Sequence, residues 1–288
     1  MTKTFEELWA GLDTDKIAET MFSTGIKDYE LEDAKSCVYD AAHRWLVWDL
    51  ENFVITGLEE CWKSPDPEIQ ALGGFKSYLD IVGYGNDDLG SDALKGYKGQ
   101  RVIIDWKTSK NALDKKWKDR QVMSHQWRMY AYLADARLFM YRGIQRPDKD
   151  GVVNFREVNL DVTAEVREGA RQQIITVMSE IAALNEKKVA PWPQSMPNAC
   201  YMYNRECAFL SDCDLYKTAP AQVLKPHEHS YTRLQHFLTC PELYRREMLL
   251  LESDTEEDID STQFGKAVHA GLAEVYSQAT GVAVQGRG

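Results

Sequence analysis

Three charged residues at the ends of two predicted strands have the types and spacing of a divalent-metal site. Asp105 and Lys107 end the apolar run that begins RVIID, and Asp80 lies near the end of the preceding predicted strand. Side chains two residues apart on a strand point to the same face. If the two strands are neighbours, both carboxylates and the lysine therefore converge. Such carboxylates suit Mg²⁺ or Mn²⁺ and a lysine can orient an attacking water, although a surface salt bridge has the same spacing.

Cysteine clustering is a second chemical signal. Four of the six cysteines lie within residues 200–240, whereas residues 62–199 contain none. Disulfides are rare in cytosolic proteins, so the clustering predicts a bound ligand. Four thiolates suit a [4Fe–4S] cluster or a structural zinc ion, and the absence of the CxxC pairs typical of zinc ribbons favours iron–sulfur. The predicted ligands are Cys200, Cys207, Cys213 and Cys240.

The chain is acidic overall and has one basic segment. A net charge of −11 argues weakly against a nucleic-acid partner, because phosphate contacts use lysine and arginine. A basic strip that could hold DNA, or could be a solvated loop, consists of Lys107, Lys110, Lys115, Lys116, Lys118 and Arg120. No apolar run reaches the roughly 20 residues of a membrane helix, and the acidic N-terminal segment is unlike a secretory signal. We therefore expect a cytoplasmic protein without a membrane partner.

Hydrophobic periodicity predicts an α/β fold with a central mixed sheet flanked by helices. Helices are predicted over residues 1–50, 119–134, 163–186, 231–251 (interrupted at Cys240–Pro241) and 264–278. Strands are predicted at 53–58, 75–83, 101–105, 136–143 and 152–160, the last two forming a hairpin. We expect one domain over residues 1–288: helical to 50, a catalytic sheet core over 51–190, a cysteine cluster region over 191–240, and helices over 241–288 that complete the site.

The segments "GFKSYLDIVG", "VIIDWKTS" and "QWRMY" resemble the nuclease core of the PD-(D/E)XK superfamily in its RecB-like branch. That branch has an Asp on one strand, DxKT ending the next, and a Q-x-x-x-Y helix. The resemblance implies a restriction-endonuclease-like core with Asp80, Asp105 and Lys107 as catalytic residues. It adds Gln126 and Tyr130, which are four residues apart, share a helical face and can reach phosphate oxygens.

A second resemblance covers the C-terminal 60 residues. "YTRLQHFLTCPELYRREML" and "FGKAVHAGL" are similar to the opening of the iron–sulfur nucleases of this branch, which include CRISPR-associated and phage exonuclease-like enzymes. The similarity implies that His269 binds the catalytic metal together with Asp80, Asp105 and the carbonyl of Trp106. It also implies that Cys240 supplies the fourth ligand of the iron–sulfur cluster.

The order of these segments differs from the family. The Cys-Pro and G-x-x-x-H helices come last here, whereas the family has them first. Either the chain is circularly permuted, which we favour, or residues 230–288 begin a second, truncated copy. Glu59 and Glu60 directly follow the first predicted strand, and the family often has a glutamate on the strand before Asp80, which one of these two fits. A solvent-facing glutamate is an equally good interpretation, so both are left out of the predicted site.

The resemblance implies a metal-dependent deoxyribonuclease, specifically an exonuclease on single-stranded DNA ends in recombination, repair or phage DNA processing. The expected setting is a bacterial or phage-infected cell, and possible partners besides DNA are recombination or replication proteins. Two alternatives stay open: an inactive DNA-binding scaffold of the same fold, and a zinc-stapled nuclease acting on RNA.

Overall fold

A computed structural model describes residues 3–86, 92–186, 228–245 and 259–285. The chain forms two compact units, which are described separately. The first unit comprises Met1–Trp62, Tyr78–Arg167 and Glu257–Gly288, and the second comprises Lys63–Ser77 and Glu168–Glu256. No helix within the described ranges is both long enough and apolar enough to cross a lipid bilayer.

The strands of the described residues form one five-stranded mixed sheet in the order β1-β2-β3-β4-β5. The strands are β1 (Phe53–Lys63), β2 (Lys76–Gly85), β3 (Arg101–Ser109), β4 (Leu138–Gln145) and β5 (Asn154–Asp161). β2 pairs antiparallel with β3, β3 parallel with β4, and β4 antiparallel with β5. The buried apolar residues of β3 and β4 explain why these two strands lie in the middle of the sheet.

Ten α-helices lie in the described ranges: α1 (Phe5–Trp9), α2 (Thr14–Phe22), α3 (Asp28–Asn52), α4 (Pro67–Ala71), α5 (Lys115–Met123), α6 (Gln126–Leu133), α7 (Ala164–Glu186), α8 (Tyr231–Thr239), α9 (Pro241–Tyr244) and α10 (Ile259–Thr280). A 3-10 helix spans Asp92–Tyr97. The sheet and its flanking helices confirm the predicted α/β class and are consistent with a restriction-endonuclease-like core.

The single helix predicted over residues 119–134 is wrong, because the chain turns between α5 and α6. Ser124 adopts an extended conformation (φ −60°, ψ 141°). Its hydroxyl accepts a hydrogen bond from the backbone N–H of Gln126 at 3.1 Å. Serine competes with helix continuation through such local bonds, and apolar periodicity alone does not reveal them.

The core of the first unit lies between the sheet and the helices α3 and α10. One face of α3 is buried, as the spacing of its apolar residues predicts; it carries Ala34, Val38, Ala41, Ala42 and Trp45. Gly271 lets α10 come close, because a Cβ there would lie 2.8 Å from Val38 Cγ2. Helix α10 is therefore an integral part of this core.

The second unit contains α4, most of α7, α8 and α9. Arg171 of α7 forms ion pairs with Asp66 (2.5 Å) and Glu68 (3.0 Å). The predicted interruption at Cys240–Pro241 is confirmed, since Cys240 is extended (φ −159°, ψ 112°) between α8 and α9. A proline disfavours helical conformation in the residue before it, which explains the break.

Candidate metal centre

The neighbouring strands β2 and β3 bring two of the predicted carboxylates together. Ile81 lies opposite Ile104 in an antiparallel ladder, so Asp80 and Asp105 meet one step further along it. Both are deeply buried, with 2% and 3% of their surface exposed. The backbone N–H of Trp106 donates to Oδ2 of Asp80 at 2.8 Å, so one strand orients the carboxylate of the other.

Helix α10 places His269 beside these strands. Its Nδ1 lies 3.4 Å from Oδ2 of Asp80 and 3.8 Å from Oε1 of Glu59. These distances exceed the roughly 2.7–3.2 Å of ordinary N–H···O hydrogen bonds. The imidazole also packs edge-on against Trp106, with ring centroids 5.8 Å apart. The ring is thus held by packing, with Nδ1 directed toward two carboxylates.

The approach of α10 to β3 depends on Gly265, one helical turn before His269. A Cβ at position 265 would lie 2.9 Å from Oγ1 of Thr108. Glycine therefore gives α10 the room to pack against the end of β3. This contact gives a physical reason for the glycine of the G-x-x-x-H pattern.

Glu59 completes the group, and the sequence interpretation missed it. Its backbone has φ 49°, a left-handed conformation that non-glycine residues seldom adopt. Residues 57–59 of β1 are all buried, which interrupts the alternation of the strand. The distortion turns Glu59 toward the site, while Glu60 accepts a hydrogen bond from Trp62 Nε1 at 2.9 Å. The acidic pair at a strand end was the available signal, but the positive φ could not be read from it.

Glu59, Asp80 and His269 can hold one metal ion. Each offers a ligand atom, and these atoms lie within 4.8 Å of one another. Oxygen and imidazole ligands suit Mg²⁺, Mn²⁺ and related divalent ions. Nδ1 of His269 makes no hydrogen bond of regular geometry within the described ranges, and a metal would provide the missing partner. Asp105 lies next to this group, in contact with Lys107.

The ammonium group of Lys107 pairs with the carboxylate of Asp105. Its Nζ lies 2.5 Å from Oδ2 of Asp105 and 5.7 Å from the centre of the Tyr141 ring. Burial opposes its charge, but the carboxylates of Asp105 and Asp80 outweigh burial and raise the pKa of Lys107. Lys107 is therefore a cation at neutral pH, able to donate hydrogen bonds to a water or a phosphate oxygen.

Gln126 and Tyr130 share one face of α6, as the four-residue spacing predicts. Nε2 of Gln126 donates to the hydroxyl of Tyr130 at 2.9 Å. Burial, followed by the charge of Asp105, raises the pKa of Tyr130. Tyr130 therefore keeps its proton and remains a hydrogen-bond donor near the carboxylates.

Crowded carboxylates perturb the acid–base properties of the site. Burial, with a further contribution from Asp80, raises the pKa of Asp105 to about 6, although Lys107 opposes the shift. Burial disfavours the charged form of His269, but Asp80 and Glu59 outweigh it and raise its pKa to about 9. Perturbed groups gathered at one place are typical of functional sites.

The basic strip forms part of α5 and the loop before it. Asp114 caps this helix by accepting from the N–H of Trp117 at 2.8 Å, and the buried Trp117 anchors it. Five of its six basic side chains are exposed, namely Lys110, Lys115, Lys116, Lys118 and Arg120. The sixth, Lys107, lies on β3 and is partly buried. The strip is thus a solvent-facing cationic surface that leads into α6.

One of the four predicted cluster ligands lies within the described ranges. Cys200, Cys207 and Cys213 lie outside the described ranges. Cys240 lies in the second unit, and its free thiol is partly buried. The iron–sulfur cluster and the carbonyl ligand of Trp106 stay predictions.

Comparison with known families adds evidence for the C-terminal segment. Residues 228–286 match the model of the PD-(D/E)XK nuclease superfamily. The match spans about a fifth of the chain and includes α8, α9 and α10, hence also His269. No curated protein matches the chain. The match suggests nuclease activity, which implies a nucleic acid as the substrate.

Proposed function

We propose that this protein is a Mg²⁺- or Mn²⁺-dependent deoxyribonuclease that hydrolyses phosphodiester bonds. The main support is the convergence of Glu59, Asp80 and His269 on one possible metal position, with Asp105 and Lys107 next to it. His269 belongs to the segment that matches a nuclease superfamily. Ligand group and family match therefore point to the same reaction.

A bound divalent ion would lower the pKa of a water molecule and stabilise negative charge on the scissile phosphate. Lys107 would hold the attacking water by a hydrogen bond, with its positive charge maintained by Asp105. Gln126 and Tyr130 would donate hydrogen bonds to phosphate oxygens. Hydrolysis consumes one water: its oxygen bonds to phosphorus, the P–O bond to the leaving sugar breaks, and that sugar oxygen takes up a proton.

The packing of α10 supports the circularly permuted assembly. Gly271 packs closely on α2 and α3 within the first unit. The two ends of this unit also lie near each other, because Asp13 donates its backbone N–H to Oε1 of Gln278 at 2.7 Å. An arrangement in which the chain's own α10 supplies His269 thus needs no second copy.

A complementation experiment tests this assembly. His269→Ala and Asp80→Ala chains are each expected to be inactive, and mixing them is expected to restore nothing, because each chain builds its site from its own α10. Recovery of activity in the mixture would show that α10 is exchanged between copies. That result would favour the interpretation of a truncated second copy.

We further propose single-stranded DNA ends as the substrate and a [4Fe–4S] cluster held by Cys200, Cys207, Cys213 and Cys240. Exposed basic residues on α5 support binding of a DNA backbone, and the family resemblance supports both exonuclease action and the cluster. Anaerobic purification followed by visible spectroscopy and iron and zinc analysis tests the cluster. Stoichiometric zinc without iron would favour the structural zinc ion.

The mechanism is tested with Lys107→Ala. This variant is expected to bind labelled single-stranded DNA and Mn²⁺ like the wild type, but to lose hydrolysis by about 10²–10⁴-fold, the range for a positioned proton-transfer group. Lys149→Ala is the control, since Lys149 is an exposed lysine outside the basic strip. Normal cleavage by Lys107→Ala would show that the catalytic site is assigned wrongly.

A further inference from the structure

A cavity of about 440 Å³ borders the metal-ligand group. This volume falls within the ~300–1,000 Å³ typical of small-ligand sites. Helix α2 contributes Thr20 to its wall, and the turn after α2 contributes Ser23 and Thr24. Helix α10 contributes Lys266 and His269, and β1 contributes Glu59. Two of the three possible metal ligands therefore face this space.

The lining combines groups that recognise different parts of a nucleotide. Lys266 is exposed and carries the positive charge that a phosphate requires. The hydroxyls of Ser23 and Thr24 donate to helix carbonyls at 2.7 and 2.8 Å, so their lone pairs remain available to accept hydrogen bonds from a sugar hydroxyl or a base amino group. Ala270 and Ala273 also line the cavity, and their small side chains leave room for a ring.

A buried carboxylate adds a further polar group to this cavity. Glu274 lines it with only 7% of its surface exposed. Its Oε1 pairs with Nζ of Lys16 at 2.7 Å and accepts from Nε2 of Gln278 at 3.0 Å. The charge of Glu274 is thus compensated by neighbouring residues, which leaves Lys266 as the group suited to an incoming phosphate.

The cavity shares two residues with the ligand group and none with the residues proposed for water and phosphate handling. Lys107, Gln126 and Tyr130 are absent from its lining, whereas Glu59 and His269 belong to it. A scissile phosphate at the metal ligands would therefore lie beside the cavity, which would receive one neighbouring nucleotide.

We propose that this cavity binds the terminal nucleotide of the strand, next to the phosphate that is cleaved. The proposal rests on the proposed nuclease function and deepens it, because it assigns the preference for strand ends to named residues. One nucleotide would be released at each hydrolysis. Recognition would come from shape, the hydroxyls and Lys266.

The test fills the cavity and measures binding of deoxythymidine 5′-monophosphate with Mn²⁺ present, by calorimetry. Ala270→Phe adds a ring to the cavity and is expected to weaken binding by at least about tenfold, the effect of some 1.4 kcal/mol. Thr20→Tyr fills it from α2, which carries none of the three possible metal ligands, and should do the same. Ala18→Phe is the matched control, because it adds the same bulk to a separate cavity of about 460 Å³ that contains none of the metal-site residues.

Three measurements separate the failure of this inference from the failure of the nuclease function. Wild type and all three variants are first titrated with Mn²⁺ alone, and are then given linear and circular single-stranded DNA. Mn²⁺ binding with digestion of linear DNA only, slowed by both cavity-filling variants, supports the inference. Equal digestion of linear and circular DNA, or nucleotide binding unchanged in Ala270→Phe and Thr20→Tyr, would overturn it and leave the nuclease intact. A wild type that binds no Mn²⁺ and cuts nothing would overturn both.

Discussion

Helix α10 takes part in two buried charged clusters that differ in how their charges are balanced. Near its middle, His269 faces Glu59 and Asp80. Two turns later, Tyr276 donates to Asp49, whose carboxylate also binds both terminal nitrogens of Arg142. Asp49 and Arg142 are completely buried, and the Arg142 guanidinium lies 4.9 Å from the centre of the Trp45 ring.

The difference lies in whether the charges can be relieved without a ligand. Asp49 and Arg142 neutralise each other in a bidentate pair, and arginine cannot lose its proton in a protein. In the metal centre three carboxylates face Lys107 and a titratable imidazole, and the pKa values of Asp105 and His269 are shifted to about 6 and about 9. The charges of the first cluster cancel each other without a ligand, whereas those of the second are balanced by bound protons. A metal ion can replace such protons.

Asp80→Asn is expected to have the largest effect on activity. Loss of a charged metal ligand should abolish detectable Mn²⁺ binding and reduce DNA cleavage by about 10³-fold or more, since the metal contributes several kcal/mol. The unfolding free energy should change by less than about 1 kcal/mol, because Asn can still accept from the Trp106 N–H and His269 can release its proton. Calorimetry, cleavage assays and urea unfolding measure the three quantities.

Asp49→Asn should have the opposite effect, lowering stability and leaving metal binding unchanged. It leaves the buried Arg142 charge uncompensated, so unfolding in urea should show a loss of about 3–5 kcal/mol. The double variant Asp49→Leu with Arg142→Met removes both charges and should lose less. Mn²⁺ affinity of the folded fraction should stay close to that of the wild type. A single variant as stable as the wild type would mean that the two clusters do not differ in the way described.

Parts of this arrangement follow from the sequence. The two strands that carry Asp80 and Asp105, and the two-residue step to Lys107, follow from local periodicity that a single sequence displays, although both strands continue past the predicted ends. The position of Glu59 depends on a backbone with φ 49°, which no composition rule indicates. The pairing of Asp49 with Arg142 joins residues 93 positions apart. Nothing in the separate segments predicts it, because tertiary packing alone brings them together.

Gly265→Ala is expected to affect metal binding and stability in opposite directions. Alanine favours the helix by up to about 1 kcal/mol, but its Cβ would crowd Thr108 and push α10 outward, moving His269. Mn²⁺ affinity should fall by about tenfold, as for other residues that orient a metal ligand. The double variant with Thr108→Ala removes the crowding oxygen and should recover most of this affinity. Failure of the second substitution to restore binding would exclude the contact as the reason for glycine.

Glu228→Gln should have the smallest effect on stability. Glu228 belongs to an exposed cluster of charges, which can be compared with the two buried clusters. Glu228 pairs with Lys63 at 2.7 Å and Lys76 at 2.6 Å. These two hydrogen-bonded lysines lower its pKa to about 2, although burial opposes the shift. Since this value lies below the roughly 4.3 of an unfolded glutamate, the stabilisation is complete above about pH 4.3 and disappears as the pH falls toward 2.

The size of this effect is limited by solvent, because 39% of the Glu228 side chain is exposed. At pH 7 and low salt, Glu228→Gln should lower the free energy of unfolding in urea by no more than about 1 kcal/mol. The loss should be smaller at high salt, and it should vanish near pH 2. Mn²⁺ affinity should be unaffected. A loss as large as that of Asp49→Asn would mean that burial is not what separates these clusters. A small, salt-sensitive loss would show that a charge pair contributes strongly only where solvent cannot replace the missing partner.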